Sequence, residues 1–584
     1  MSGNVFSGHL ASAGTALGFA HRTDRDYTTT LPHRSTGNPV QQITDAFDAV
    51  ARNLRQLAES LRTRGQREQA DIMETTSYIA DDNDLRGTAI ELTRKGYPVT
   101  FAINKAVDTY ARVLAELDDP VLAERATDVR QIGRRALAWL YTDTDTDTRP
   151  DGPLVLLAHE IGAGDLLEPD APVVAAASVI GGPNSHAAIV ARSLGIPLLL
   201  GIDDAALNCP DGAEVLIDGE HGTGVLTIDP APDQRRVALD AMDTARARRA
   251  ALLTDRDLPC ETLDGRRIIL RANIATPTDA RTAVEAHADG IGLLRTELPF
   301  LDSTAWPSYL QHTAALTPIF RRLNHLPVTV RTLDYADDKL PPFLAAGRVD
   351  GRLGRGLPLM LAQPTAFIEQ FRALLTTGTT ADLRIMIPMV ATVDEFRTCR
   401  TLLDRAAAEK GITPPPLGAM IELPEAVAAI DDIAAAAAFL SIGSNDLTCQ
   451  ILGLDRRDPA ATPAMAAHPA VLRAIADVID AAHRHQRQVS VCGDAAAHPQ
   501  VIPLLIGLDC DILSVAPAAL DQTRAYIRRL DHATCAALAT TALTQATVEQ
   551  VWHLVDHSHP ADSPLTITPE IPTGDAAAAR RRSA

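Results

Sequence analysis

Aromatic residues are scarce in this chain: phenylalanine, tyrosine and tryptophan together make up 4% of its 584 residues. With 46% hydrophobic content, its cores must therefore be built from alanine, leucine, isoleucine and valine. Basic residues are also in deficit. Fifty-four Lys and Arg face 74 Asp and Glu, a net charge of −20. That balance excludes nucleic acid as the main partner, because a phosphate backbone calls for a basic stripe. Cysteine pairing is missing as well. Cys209, Cys260, Cys399, Cys449, Cys492, Cys510 and Cys535 are odd in number, scattered, and form no CxxC pair. This speaks against a disulfide framework or a zinc site and for a reducing cytoplasm. "MSGNVFSGHLASAG" lacks the charged and apolar blocks of a signal peptide. No uncharged apolar run reaches the ~20 residues of a membrane helix. The expectation is a cytoplasmic protein without membrane insertion.

A chain of 584 residues suggests three or four domains at roughly 100–200 residues each. "GHLASAGTALGFAH" reads as a short strand with turns. From Asn38 to Leu140, apolar residues recur three and four apart between charges, as in "ITDAFDAVARNLRQLAESLRTR", which predicts a helical bundle. The polar "YTDTDTDTRPDG" is a loop. After it, "PLVLLA", "APVVAAA", "IPLLLG", "AEVLIDG" and "GVLTID" are strand-like. The pattern predicts a small α/β domain over 1–24 and 143–228, with a helical domain, 25–142, inserted after its first strand. A charged helix over 229–258 links it to the rest. Beyond that, eight strand candidates alternate with helices: "RRIILRANI", "GIGLLRT", "VTVRTLD", "LRIMIPM", "LGAMIEL", "FLSIGSND", "VSVCGD" and "ILSVA". They predict a (β/α)8 barrel over 259–571, followed by a disordered tail, 572–584.

In such a barrel the chemistry sits at the C-terminal rim. The predicted strand ends carry Arg295, Arg331, Glu422, Asn445 with Asp446, and Cys492, and Lys339 and Arg456 follow in rim loops. Two carboxylates on different strands, Glu422 and Asp446, suit a hard cation such as magnesium, completed by substrate oxygens. The arginines and lysine around them suit a substrate bearing phosphate and carboxylate. Cys492 is a buried strand-end thiol or, beside a magnesium enolate, a proton donor.

"GGPNSHAAIVARSLGIPLLLG" is the other informative stretch. Gly181-Gly182 allows close backbone approach, Ser185 stands where a helix cap would, and His186 opens the helix. The helix N-terminus and its dipole favour an anion there. Imidazole is both a good nucleophile and a good leaving group near neutral pH, so a phosphohistidine carrier follows naturally.

This stretch resembles the phosphohistidine motif of phosphoenolpyruvate-utilising enzymes, usually GG-x-T-S-H-x-x-I-x-A-R-x-x-G-I-P. Nearly the whole chain, from "GHLASAGTALG" to "DILSVAPAAL", resembles the Enzyme I family of phosphoenolpyruvate–protein phosphotransferases. "GIGLLRTE", "MIELPEA", "SIGSNDLTCQILGLDR" and "VCGDAA" carry the barrel half, and "ELDDPVLAERATDVRQIGRR" resembles the end of the family's helical subdomain. The resemblance implies a cytoplasmic, homodimeric transferase of the sugar phosphotransferase system. Its α/β domain would swivel, and the inserted helices would dock the phosphocarrier HPr. His186 would take the phosphoryl group of phosphoenolpyruvate and pass it to HPr. Arg295, Arg331, Arg456, Asn445 and Lys339 would bind substrate, Glu422 and Asp446 would hold Mg2+, and Cys492 would protonate the enolate to pyruvate. Some loops depart from the family pattern. "VDGRLGRGLPLM" lacks the usual Asn-Pro and leaves Arg355 as the candidate for a further phosphate-binding arginine. "DYADDK" stands where "DIGGDK" is usual, Asn184 replaces a threonine, and "HEIGAGDLL" offers no threonine to orient the histidine. Those departures keep a catalytically weakened regulatory paralogue as an alternative. A phosphoenolpyruvate synthase or pyruvate phosphate dikinase would need a nucleotide-binding domain that the helical block preceding His186 does not supply.

Overall fold

The computed structural model describes residues 5–23, 38–63, 67–115, 120–141, 152–167, 172–182, 185–221, 223–301, 303–335, 341–345, 357–455, 458 and 461–558. They fall into two compact units, Met1–Arg249 and Ala250–Ala584. Asn184, Lys339, Arg355, Arg456, the 142–150 loop and the tail from 559 onward lie outside the described residues.

Two strands open the first unit where the sequence predicts one: β1 (Val5–Ser12) and β2 (Gly14–Arg22). They do not pair with each other. β1 pairs with strands on one side of a sheet and β2 with strands on the other, so the chain must turn a corner at Ala13–Gly14. Gly14 makes that corner with φ +144°, a backbone angle side chains rarely adopt. Five helices follow: α1 (Pro39–Thr63), α2 (Arg67–Ala80), α3 (Asn83–Arg94), α4 (Val99–Ala115) and α5 (Pro120–Tyr141). The chain then returns through β3 (Leu154–Glu160), α6 (Ala163–Leu166), β4 (Val173–Ile180), α7 (His186–Leu194), β5 (Leu198–Leu200), β6 (Glu214–His221) and β7 (Thr223–Ile228). The seven strands close a barrel in the order β1-β5-β4-β3-β2-β6-β7.

Alternation along β3 decides what packs where. Val155 and Leu157 join the barrel's own core with Ala175, Ala177 and Leu199. Leu154, Leu156 and Ala158 face the other way, into a second core shared with the helices. There α1 contributes Ile43, Phe47, Val50, Leu54 and Leu61, and α5 contributes Val129, Ile132, Ala136 and Leu140, each set on one face at helical spacing. Ala187, Ala188 and Ala191 of α7 belong to the same core. The inserted helices thereby share one apolar core with the helix that His186 opens. The charged α8 (Pro232–Thr254) closes the unit, touching it through Ala238 and Met242 against Leu17 and Leu216.

The second unit is a closed barrel of eight parallel strands: β8 (Ile269–Ile274), β9 (Ile291–Leu294), β10 (Pro327–Arg331), β11 (Asp382–Ile387), β12 (Leu417–Ile421), β13 (Leu440–Gly443), β14 (Val489–Cys492) and β15 (Ile512–Val515). Each overlaps one of the eight stretches the sequence singles out, β10 and β11 starting one residue earlier. Leu417, Ala419 and Ile421 of β12 face the outer helices, while Met420 lies in the lumen with Leu293, Met386, Phe439 and Cys492. Arg295 and Glu422 lie one residue past the ends of β9 and β12, and a larger departure follows β13. Asn445 and Asp446 are not strand residues, because β13 stops at Gly443 and a helix, Ser444–Leu452, begins at once. Both sit in its first turn. All seven cysteines are free and buried. No helix among the described residues is long and apolar enough to cross a membrane.

Candidate active site

At the C-terminal rim of the eight-stranded barrel, Arg295, Arg331, Glu422, Asn445, Asp446 and Cys492 line one cleft of about 680 Å³, counting its open mouth. The sequence names all six. Two acids it does not assign, Glu297 and Asp334, line the same cleft. Glu297 Oε1 accepts from Arg331 Nη2 at 2.6 Å, and Asp334 Oδ2 lies 2.7 Å from Nη1. Arg331 is only 9% exposed. Burial works against its charge, but Asp334, Glu297 and Glu422 outweigh that and hold its pKa above the usual guanidinium value. Below the pair, Thr296 Oγ1 donates to the Arg331 carbonyl at 2.9 Å and accepts from Gln370 Nε2 at 2.9 Å. Arg331 is thus a fixed part of the wall, with both of its terminal nitrogens engaged.

Glu422 is 1% exposed. Burial, then the nearby Asp334 and Asp446 carboxylates, push its pKa up to about 8, against the pull of Arg331 and the Met389 N–H. That N–H donates to Glu422 Oε1 at 2.7 Å. Glu422 and Asp446 thus line one cleft as a pair of carboxylates, a donor set that a hard divalent ion fits. Gly443 keeps the space open, since a Cβ there would stand 2.8 Å from Glu422 Oε2.

Asn445 is fixed by reciprocal bonds. Its Nδ2 donates to Asp494 Oδ2 at 3.0 Å, and its Oδ1 accepts from the Asp494 N–H at 3.0 Å. Cys492 is 2% exposed, and its Sγ donates to the Ile442 carbonyl at 3.4 Å and accepts from Ser441 Oγ at 3.5 Å. Burial pushes this thiol up to about 11, so it keeps its proton at neutral pH.

His186 lies in the other unit, as the first residue of α7. Ser185 caps the helix, its side chain accepting from Ala188 N at 3.3 Å. Gly195 closes the far end with φ 65°. The imidazole is 18% exposed, and its Nδ1 lies 3.5 Å from Oδ2 of Asp128, a carboxylate of α5 that is itself 4% exposed. The sequence reading missed Asp128. It lies in "ERATDVRQIGRR", a stretch that the apolar periodicity marks only as an amphipathic helix. Arg125 Nη1 bonds the same oxygen at 3.0 Å.

Family models match stretches of both units. Residues 7–125 match the family described as PEP-utilising enzyme, N-terminal, residues 150–222 the mobile domain, and residues 249–532 the PEP-binding domain. The multiphosphoryl transfer protein of Xanthomonas campestris pv. campestris is 35% identical over 93% of this chain, and the chain spans 65% of that relative's length. The phosphoenolpyruvate-dependent phosphotransferase system protein of Escherichia coli is 31% identical, covering 88% of this chain and 70% of its own. Phosphoenolpyruvate-protein phosphotransferase of Geobacillus stearothermophilus is 31% identical over 93% of this chain and 96% of its own length. The chain therefore belongs to the PEP-utilising enzymes, in the family of phosphoenolpyruvate–protein phosphotransferases.

Proposed function

We propose that the chain is a phosphoenolpyruvate–protein phosphotransferase of a sugar phosphotransferase system. It would move the phosphoryl group from phosphoenolpyruvate to His186 and on to a histidine of the carrier HPr. The observation that carries this reading is the rim cleft, where an arginine-bearing wall, two carboxylates suited to a cation and a protonated thiol meet. A helix-opening histidine in the same chain completes the requirement for a covalent carrier.

In this reading Arg295 and Asn445 bind the substrate's anionic groups, joined by Lys339, Arg355 and Arg456 from the rim loops. Arg331 contributes positive potential while its own geometry is locked by Glu297 and Asp334. Glu422 and Asp446 would hold Mg2+, which when bound neutralises oxygen charge on substrate and enolate. His186 attacks phosphorus, and the bond to the enol oxygen breaks with its electron pair on oxygen. Cys492, kept protonated by burial, gives its proton to the enolate carbon and pyruvate leaves. The helices α1–α5 would dock HPr, and the working protein would be a cytoplasmic homodimer formed through the barrel.

Incubation with phosphoenolpyruvate labelled at phosphorus, with and without Mg2+, tests the reading. The expected result is acid-labile label on the wild-type chain, none on His186→Ala, and onward transfer when HPr is added. Label that survives in His186→Ala would sink it.

A further inference from the structure

We propose that Asp128, on the inserted helix α5, is the positioning residue for His186. It fixes the proton on Nδ1 and leaves Nε2 as the nucleophile. This rests on His186 being the phosphoryl acceptor. The need for such a residue is plain from the turn after β3. The segment Ile161–Leu167 carries no hydroxyl that could hold the ring, and an unheld imidazole presents either nitrogen.

Asp128 meets the requirements of the role. Its carboxylate is nearly inaccessible, and its Oδ2 stands 3.5 Å from Nδ1. Contacts of this kind are often long in a resting site and tighten in the reacting complex. Arg125 Nη1 pairs with the same carboxylate oxygen at 3.0 Å.

Asp128 is also held rigidly for a residue in a different segment from its target. The next turns of α5 are pinned to the end of β3 and to α6. Thr127 Oγ1 donates to Glu160 Oε1 at 2.6 Å, and Arg130 Nη1 lies 3.4 Å from Oε2 of the same acid. Gln131 Nε2 donates to Asp165 Oδ2 at 2.8 Å, and the Gly162 N–H donates to that oxygen at 3.1 Å. Gly162 is needed for this, since a Cβ there would fall 1.7 Å from Gln131 Nε2. The ladder ties α5 to the barrel on the same side as the shared apolar core of α5 and α7.

The chemistry follows. With the Nδ1 proton directed at Asp128, the Nε2 lone pair points outward and attacks phosphorus. The phosphorylated ring is cationic, and Asp128 neutralises it without taking the proton, as a buried carboxylate does for the histidine of a catalytic triad. When the group moves on, the N–P electron pair returns to Nε2 and the Nδ1 proton has not moved. The inserted helices therefore contribute to the phosphorylation site itself.

The test uses the full chain labelled with 15N-histidine, in wild type, Asp128→Asn, Asp128→Glu and His186→Gln, the last to assign the His186 resonances. Nitrogen chemical shifts report the tautomer without any turnover. The wild type should show the Nδ1–H form. Asp128→Asn should mix or invert the tautomers, and Asp128→Glu should restore Nδ1–H in part. Rates of His186 labelling by phosphoenolpyruvate should fall roughly 10–100-fold in Asp128→Asn, the range typical of the partners that orient metal-bound histidines, and recover partly in Asp128→Glu. An unchanged tautomer in Asp128→Asn overturns the proposal. Absence of labelling in a wild-type chain that still shows the Asp128-dependent tautomer would overturn the phosphotransferase reading instead.

Discussion

Two arginines sit at opposite ends of the same eight-stranded barrel, buried almost equally, in opposite electrical surroundings. Arg331, at the C-terminal end of β10, is 9% exposed and enclosed by Glu297, Asp334 and Glu422. Arg271, in β8, is 7% exposed; the Nε of each arginine has no hydrogen-bond partner among the described residues, but the terminal nitrogens of Arg331 are held in ion pairs. Burial and the facing Arg384 push the Arg271 pKa down to about 10, and Asp289 and Asp382, near the N-terminal ends of their strands, offset only part of this. Arg384 itself lies over the Phe439 ring at 4.3 Å, which supplies weak compensation through the ring face. Acids are thus concentrated around Arg331 at the rim. The opposite end carries positive charge that nothing fully neutralises. Burial alone does not make a buried charge functional; its partners do.

The largest effect should come from breaking the saturated end. Arg331→Leu leaves Glu297, Asp334 and Glu422 crowded together without their cation. Removing one partner of a buried pair costs about 3–5 kcal/mol. Calorimetry should show the barrel transition displaced to much lower temperature, and a shift within error of zero would mean that Arg331 is not the charge centre of the rim.

Much of this was legible in the sequence, and the misses have physical causes. The eight barrel strands were readable because strands buried on both faces are short apolar runs bounded by turns. The rim residues were readable because a barrel places strand ends at its site. Glu297, two residues from Arg295 in "GIGLLRTE", could have been found from its place at the same strand end. Asp128 could not, because its role depends on the approach of α5 to His186, a tertiary contact that helical periodicity does not encode. The break between β1 and β2 was missed for a similar reason. A single residue separates the two strands, and only their different pairing partners distinguish them from one strand.

A third buried base sharpens the contrast, because it can shed its charge. His312, on the helix Tyr309–Phe320, is fully buried, and neither ring nitrogen has a hydrogen-bond partner among the described residues. Its ring meets Phe300 edge-on at 4.8 Å. Burial, opposed weakly by Glu369, lowers its pKa to about 4 from 6.5. Between those values the unfolded chain binds a proton that the folded chain does not, so stability falls as pH drops from about 6.5 to about 4. The full drop is about 3 kcal/mol at 1.36 kcal/mol per unit. Stability of the barrel measured against pH should show this slope, and His312→Phe should flatten it while leaving the neutral-pH fold intact.

The smallest effect is the most discriminating, since its sign is opposite. An arginine cannot escape burial by losing its proton at neutral pH, so Arg271 remains a charge opposed by its surroundings. Arg271→Met keeps most of the side-chain length and removes that charge. Replacing an uncompensated buried ion by an apolar group of similar volume is neutral or stabilising, here by about 1–2 kcal/mol. The site has little room to relax otherwise: Gly292 beside it would bring a Cβ within 3.1 Å of the Arg271 Cβ and 2.1 Å of Ser514 Oγ. Urea denaturation of Arg271→Met should therefore give a raised midpoint with an unchanged slope. A lowered midpoint would show that the N-terminal end of the barrel compensates Arg271 as fully as the rim compensates Arg331, and the difference between the two ends would be lost.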